Sequence, residues 1–137
     1  MGHKEIKEFF ISGASELPYP DMSAVAWVKS TRPKHPKIST YGWMTTTETA
    51  RSAILEVVDY VAEGSRVRIL TDSRLVSHEF KRIYDAKTRD LHDPYWRARA
   101  PIEKKDVSIE ISLVKRTENL AHQVLNEFAV ALRQICN

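Results

Sequence analysis

At Thr47 the apolar residues of this chain change their spacing, and that change limits the folds open to it. Before it lie three strand-like segments. Residues 4–12 carry Phe9, Phe10 and Ile11 as a short apolar run, the pattern of a strand buried on both faces. A turn-rich stretch with two prolines follows, then residues 22–29 (MSAVAWVK) and 37–46 (KISTYGWMTT) as further strands around a basic turn. After Thr47, Ala50, Ala53, Ile54, Val57, Val58 and Val61 recur at three- and four-residue steps, the stripe of a helix that ends near Gly64.

Strand and helix then alternate. Residues 66–71 (RVRILT) form a strand, and 73–87 a helix with Leu75, Val76, Phe80 and Ile83 on one face. A further helix is expected over 93–104, capped by Asp93 ahead of Pro94. Residues 107–115 alternate as a strand, and 117–135 form a last helix with Ala121, Val124, Leu125, Phe128 and Leu132 inward. Three hairpin-linked strands followed by alternating elements call for an α/β fold. Its five-stranded mixed sheet is antiparallel on one side, parallel on the other, flanked by helices, with the first strand central. Ligands of such sheets gather outside the carboxyl ends of the central parallel strands, which here are Ser12 and Asp72.

A chain of 137 residues with neither repeat nor linker suits one domain, 1–137. Cys136 is its one cysteine, so no disulfide framework or multi-cysteine zinc site is expected, and a reducing compartment, the cytoplasm, is the simpler home. The amino-terminal residues lack the apolar stretch of a signal peptide, no apolar run nears the roughly 18 residues of a membrane span, and no membrane partner is expected. A net charge of +3 is compatible with a polyanionic partner without requiring one.

Three local signatures fall in register with this order: FFISGAS after the first strand, ILTDSRLV at the fourth, and LVKRTENLAHQVLNEFA at the fifth strand and last helix. Together they resemble the ribonuclease H-like superfamily over essentially the whole chain, the Thr71-Asp72-Ser73 step being the most specific part. The resemblance implies a nuclease that cuts the RNA strand of RNA–DNA hybrids with two magnesium or manganese ions held by carboxylates. Hard cations want oxygen ligands, one ion activating water and the other steadying the leaving oxygen.

Carried across residue by residue, the family's first aspartate falls on Ser12, a neutral hydroxyl that cannot bridge two dications. Glu16 and Asp21 in the following loop are the acids that could stand in for it. The helical glutamate position extrapolates to Ala50, with Glu48 half a turn away as the nearest acid and otherwise a first-turn residue favoured by the helix dipole. Asp72 matches the strand-four aspartate, and as a residue at a strand-to-helix junction it also suits a helix cap. The fourth position falls on His122, or on Gln123 if Asn119 is matched to the family's asparagine. The candidate catalytic set is therefore Asp72, Glu48 and His122, with Asp72 and Glu48 as metal ligands.

That set is depleted, and the expectation is a module that binds nucleic acid or a protein partner with cleavage lost or impaired, as in noncatalytic relatives. An active magnesium-dependent hybrid endonuclease and a protein-interaction scaffold are the alternatives. For nucleic acid, a hybrid or duplex, the candidate contacts are Lys34 and Lys37 on the second turn, Arg74 after Asp72, and Lys115 and Arg116 before the last helix. Trp27 and Trp43 are expected in the core or on a sheet face, and Trp96 as the exposed aromatic contact.

Overall fold

The computed structural model describes residues 5–18 and 21–136, the side chain of Cys136 excepted. The expected strand residue Lys4, the turn residue Pro20 and the Cys136 thiol lie outside the described residues. Strands β1 (Ile6–Ala14), β2 (Met22–Lys29) and β3 (Lys37–Gly42) are followed by α1 (Thr46–Tyr60), β4 (Arg66–Thr71), α2 (Arg74–Asp85), α3 (Pro94–Lys105) and β5 (Ser108–Leu113). A single 3-10 turn, Arg116–Glu118, leads into α4 (Leu120–Cys136).

The five strands form one mixed sheet in the order β3-β2-β1-β4-β5. β1 is its centre, antiparallel to β2 and parallel to β4. Its alternation sends Phe9 and Ile11 into a core closed by α1, α2 and α3, while Phe10 packs on the opposite face under α4. That two-sided burial is what the Phe9-Phe10-Ile11 run predicts. The α1 stripe from Ala50 to Val61 is buried in the first core, and Ala121, Val124, Leu125, Phe128 and Leu132 of α4 fill the second. Each Val, Ile, Leu or Phe side chain among them, when fully buried, contributes roughly 1.5–3 kcal/mol, so these two stripes fix which face of the sheet each helix covers.

Several boundaries differ from the sequence expectation. β1 runs on to Ala14, because Gly13 and Ala14 still pair with Val25 and Ala24 of β2. β3 stops at Gly42, opposite the first residue of β2. α1 ends at Tyr60 rather than near Gly64; Gly64 instead takes a left-handed φ of 76° in the turn to β4. The capping of α3 is as expected, with Asp93 accepting from the Tyr95 amide at 2.9 Å and Pro94 at the first helical position.

α4 crosses β1 and β2, while on its face of the sheet β4 carries Arg68, paired with Glu8 at 3.0 Å and Glu110 at 2.5 Å. These half-exposed pairs add little stability, but they leave that half of the sheet face polar. No helix among the described residues is long and apolar enough to cross a membrane.

Candidate functional site

The parallel ladder between β1 and β4 closes at Phe10 and Leu70, and beyond it the two strands part. β1 continues along β2 while β4 ends at Thr71, so Ser12 and Asp72 face a cleft of about 220 Å³. Thr46, Thr49 and Ala50 of α1 and His122 of α4 also line it. Gly13 is required there because a Cβ would come within 2.9 Å of the Thr49 Cβ, so α1 lies directly against the end of β1.

Asp72 is the carboxylate of this cleft, and its side chain is only 17% exposed. It does not cap α2: the cap position is Ser73, whose amide donates to Thr71 Oγ1 at 3.1 Å. Asp72 turns instead toward the entrance of α4. Its Oδ1 accepts from the Asn119 side-chain amide at 2.7 Å, and its Oδ2 lies 3.7 Å from Arg116 Nε. Asn119 is fully buried and works in three directions. Its Nδ2 also donates to the Ile11 carbonyl at 3.0 Å, while its Oδ1 accepts from the amides of Ala121 at 3.0 Å and His122 at 3.3 Å. One side chain thus caps α4, serves a β1 carbonyl beyond the reach of the β4 ladder, and orients Asp72. An Asn directly before an apolar helical stripe is a sequence signal for the cap alone.

Glu48 is not brought to the cleft. It closes a capping box at the start of α1, where the Thr45 hydroxyl accepts from the Glu48 amide at 3.2 Å and Glu48 Oε1 accepts from the Thr45 amide at 3.2 Å. That backbone bond, helped by the Thr45 hydroxyl, holds the carboxyl below its ordinary value. Its side lines a different depression, with Arg51 and Arg97. The wall that α1 gives to the Asp72 cleft is made instead by Thr46, Thr49 and Ala50, none of them acidic. Thr49 spends its hydroxyl on the Thr46 carbonyl at 2.8 Å.

Of the loop acids, Glu16 borders a neighbouring depression against α4 that includes His122 and Arg133, and Asp21 is exposed in a left-handed turn. Neither lines the Asp72 cleft. His122 borders both depressions, and Gln123 is exposed, donating to the Thr117 carbonyl at 2.8 Å. Asp72, Ser12 and His122 therefore line one cleft, and Glu48 stays apart. This donor set of one carboxylate, hydroxyls and one imidazole does not fit a pair of hard divalent ions, each wanting six or more oxygen ligands. Among the described residues, no group of three or more His, Cys, Asp or Glu comes together in a way that could hold a metal ion.

The cations divide between the two ends of the sheet. Arg74, Lys115 and Arg116 are exposed at the Asp72 end. Lys34, in the turn after β2, and Lys37, the first residue of β3, are also exposed but lie at the opposite end, where the Ser30 amide bonds the Glu8 carbonyl at 3.0 Å. From Ala14 opposite Ala24 to Phe9 opposite Lys29 the ladder spans five steps, roughly 17 Å at the rise of a strand. The two groups cannot share one phosphate.

Of the tryptophans, Trp27 is in the core as expected, while Trp43 and Trp96 depart from expectation. Trp27 is buried against Phe9 and Tyr60, but Trp43 lies just past β3 at the Asp72 end and is 59% exposed. Trp96 is half-buried, with the Arg89 guanidinium 5.8 Å from its ring centre. β3 ends four residues sooner than its Thr, Tyr and Trp content suggests, and that puts Trp43 outside the sheet.

Away from the cleft, α1, α2 and α3 are joined by an internal ion pair. Glu79, 1% exposed, meets Arg51 at 2.7 Å and accepts from the Tyr95 hydroxyl at 3.1 Å. Between β3 and α1, burial and a bond to Glu56 push the Tyr41 hydroxyl up to about 12.

No family model and no curated protein matches this chain.

Proposed function

We propose that the chain is a ribonuclease H-like module that binds nucleic acid, an RNA–DNA hybrid or duplex, without cutting it. The strand order β3-β2-β1-β4-β5, with β1 central, three helices on one face and α4 on the other, supports the fold to which the sequence resemblance points. The observation that carries the loss of cleavage is the solitary state of Asp72. It stands in the cleft opposite a serine, with its two oxygens engaged by Asn119 and Arg116. Two-ion hydrolysis needs carboxylates that bridge cations about 4 Å apart, and the Asp72 cleft supplies one. The cations Arg74, Lys115 and Arg116 at the same end support phosphate contact, which supplies most sequence-independent affinity.

A labelled RNA–DNA hybrid tests both halves of this reading. Incubated with the protein in magnesium or manganese, the hybrid stays intact, while its affinity falls with salt at a log–log slope of about −2.7 for three phosphate contacts. Metal-dependent cleavage abolished by Asp72→Asn refutes the noncatalytic reading and favours the active nuclease. Absence of salt-dependent binding refutes the nucleic-acid reading and leaves the fold as a protein-contact scaffold.

A further inference from the structure

Where the resemblance would put a divalent ion, Asp72 faces a guanidinium. We infer, resting on the nucleic-acid reading above, that this end of the sheet grips a phosphodiester directly through Arg116, with no metal ion between protein and phosphate.

The pair is lopsided in a way that suits this. Asp72 is 17% exposed and fixed from behind by Asn119, whereas the Arg116 side chain is 76% exposed. Its Nε stands 3.7 Å from the carboxylate, beyond hydrogen-bond distance. Among the described residues the terminal nitrogens make no hydrogen bond, and a guanidinium offers there the planar fork that matches two phosphate oxygens.

The backbone beneath Arg116 is also set. Its carbonyl accepts from the Asn119 amide at 3.2 Å, and the Lys115 carbonyl accepts from the Glu118 amide at 2.9 Å, so the turn and the Asp72 lock share one residue, Asn119. An unpartnered Asp72 would repel a phosphate at this end. Arg116 offsets that charge, and Lys115 and Arg74 leave a positive excess there against the single acid of the turn, Glu118. A metal is thus unnecessary for the contact, and the donor set of the cleft does not suit a metal pair.

The test is the anisotropy of a short labelled RNA–DNA hybrid over a range of salt, in excess EDTA and in magnesium, for the wild-type chain, Arg116→Gln and Arg116→Lys. The Arg116 side chain is 76% exposed, so the variants are expected to fold, which far-UV circular dichroism checks. The expected result is wild-type affinity equal in EDTA and magnesium to within about twofold. Arg116→Gln lowers the salt slope by about one, and Arg116→Lys keeps the slope while binding more weakly because the fork is lost. Loss of binding in EDTA overturns the inference, as does an Arg116→Gln slope and affinity equal to wild type. In those outcomes the nucleic-acid reading survives; failure of the wild type to bind a hybrid at low salt overturns both.

Discussion

Replacing Asn119 by alanine removes three services at once, and their costs follow from its surroundings. The cap bonds to the Ala121 and His122 amides are worth about 1 kcal/mol. The Ile11 carbonyl, in a residue with no exposed surface, loses its donor, at a cost of about 1–3 kcal/mol for a buried unpaired group. Asp72 is partly open to solvent and regains water, so its share is small. The expected destabilisation is about 2–4 kcal/mol. At about 2.1 cal/mol/K per residue, the 137-residue chain unfolds with an entropy near 0.29 kcal/mol/K, so Tm falls by about 7–14 °C in a calorimetric scan.

Asn119→Asp refines the test. It keeps the capping acceptor but sets a second carboxylate against Asp72 where a donor stood 2.7 Å away. The two acids then share a proton with a raised folded-state pKa. Stability gained from that shared proton is present at low pH and lost as pH rises through the raised value, so the deficit relative to wild type is largest at neutral pH and shrinks on acidification. A Tm loss under about 2 °C for Asn119→Ala, or an Asn119→Asp deficit independent of pH, refutes the argument that this amide joins β1, Asp72 and α4.

Breaking the internal pair by Arg51→Ala leaves the Glu79 carboxylate buried with weaker partners and costs about 3–5 kcal/mol in urea denaturation, whereas Arg51→Met with Glu79→Gln recovers part of the loss; a single-mutant cost below about 1 kcal/mol contradicts that burial. Thr45→Ala opens the capping box and costs about 1 kcal/mol above the carboxylate range. Because Glu48 has a lowered folded-state pKa, its contribution is present above its ordinary value of 4.5 and is lost as pH falls through the lowered one; Thr45→Ala keeps the larger, backbone cause of that lowering and loses the hydroxyl's share together with the uncharged cap bond, so its deficit narrows in acid melts without closing. Trp43→Ala weakens hybrid binding by about 1–3 kcal/mol if a base stacks on the exposed ring, and hybrid quenches the fluorescence of a Trp96→Phe chain; unchanged affinity and emission place Trp43 off the binding path.

The sequence by itself determined the order of elements, the limits of β2 and β4, and the inward faces of α1 and α4. Those properties are written in periodicities of two and of three to four residues, and each is set by whether neighbouring side chains can be buried together. Asp72 was legible for the same reason, since it closes a short buried strand. Only the tertiary structure decided what Asp72 touches. Its orienting amide also bonds the Ile11 carbonyl across 108 residues of sequence, and the need for that amide arises only where β4 ends and β1 continues. Tertiary packing likewise turned Glu48 away into its capping box, left Trp43 beyond the last rung of β3, and sent Lys34 and Lys37 to the far end of the sheet from Arg116. Local spacing tells which face of an element is apolar; where two strands part company depends on pairing partners distant in the chain.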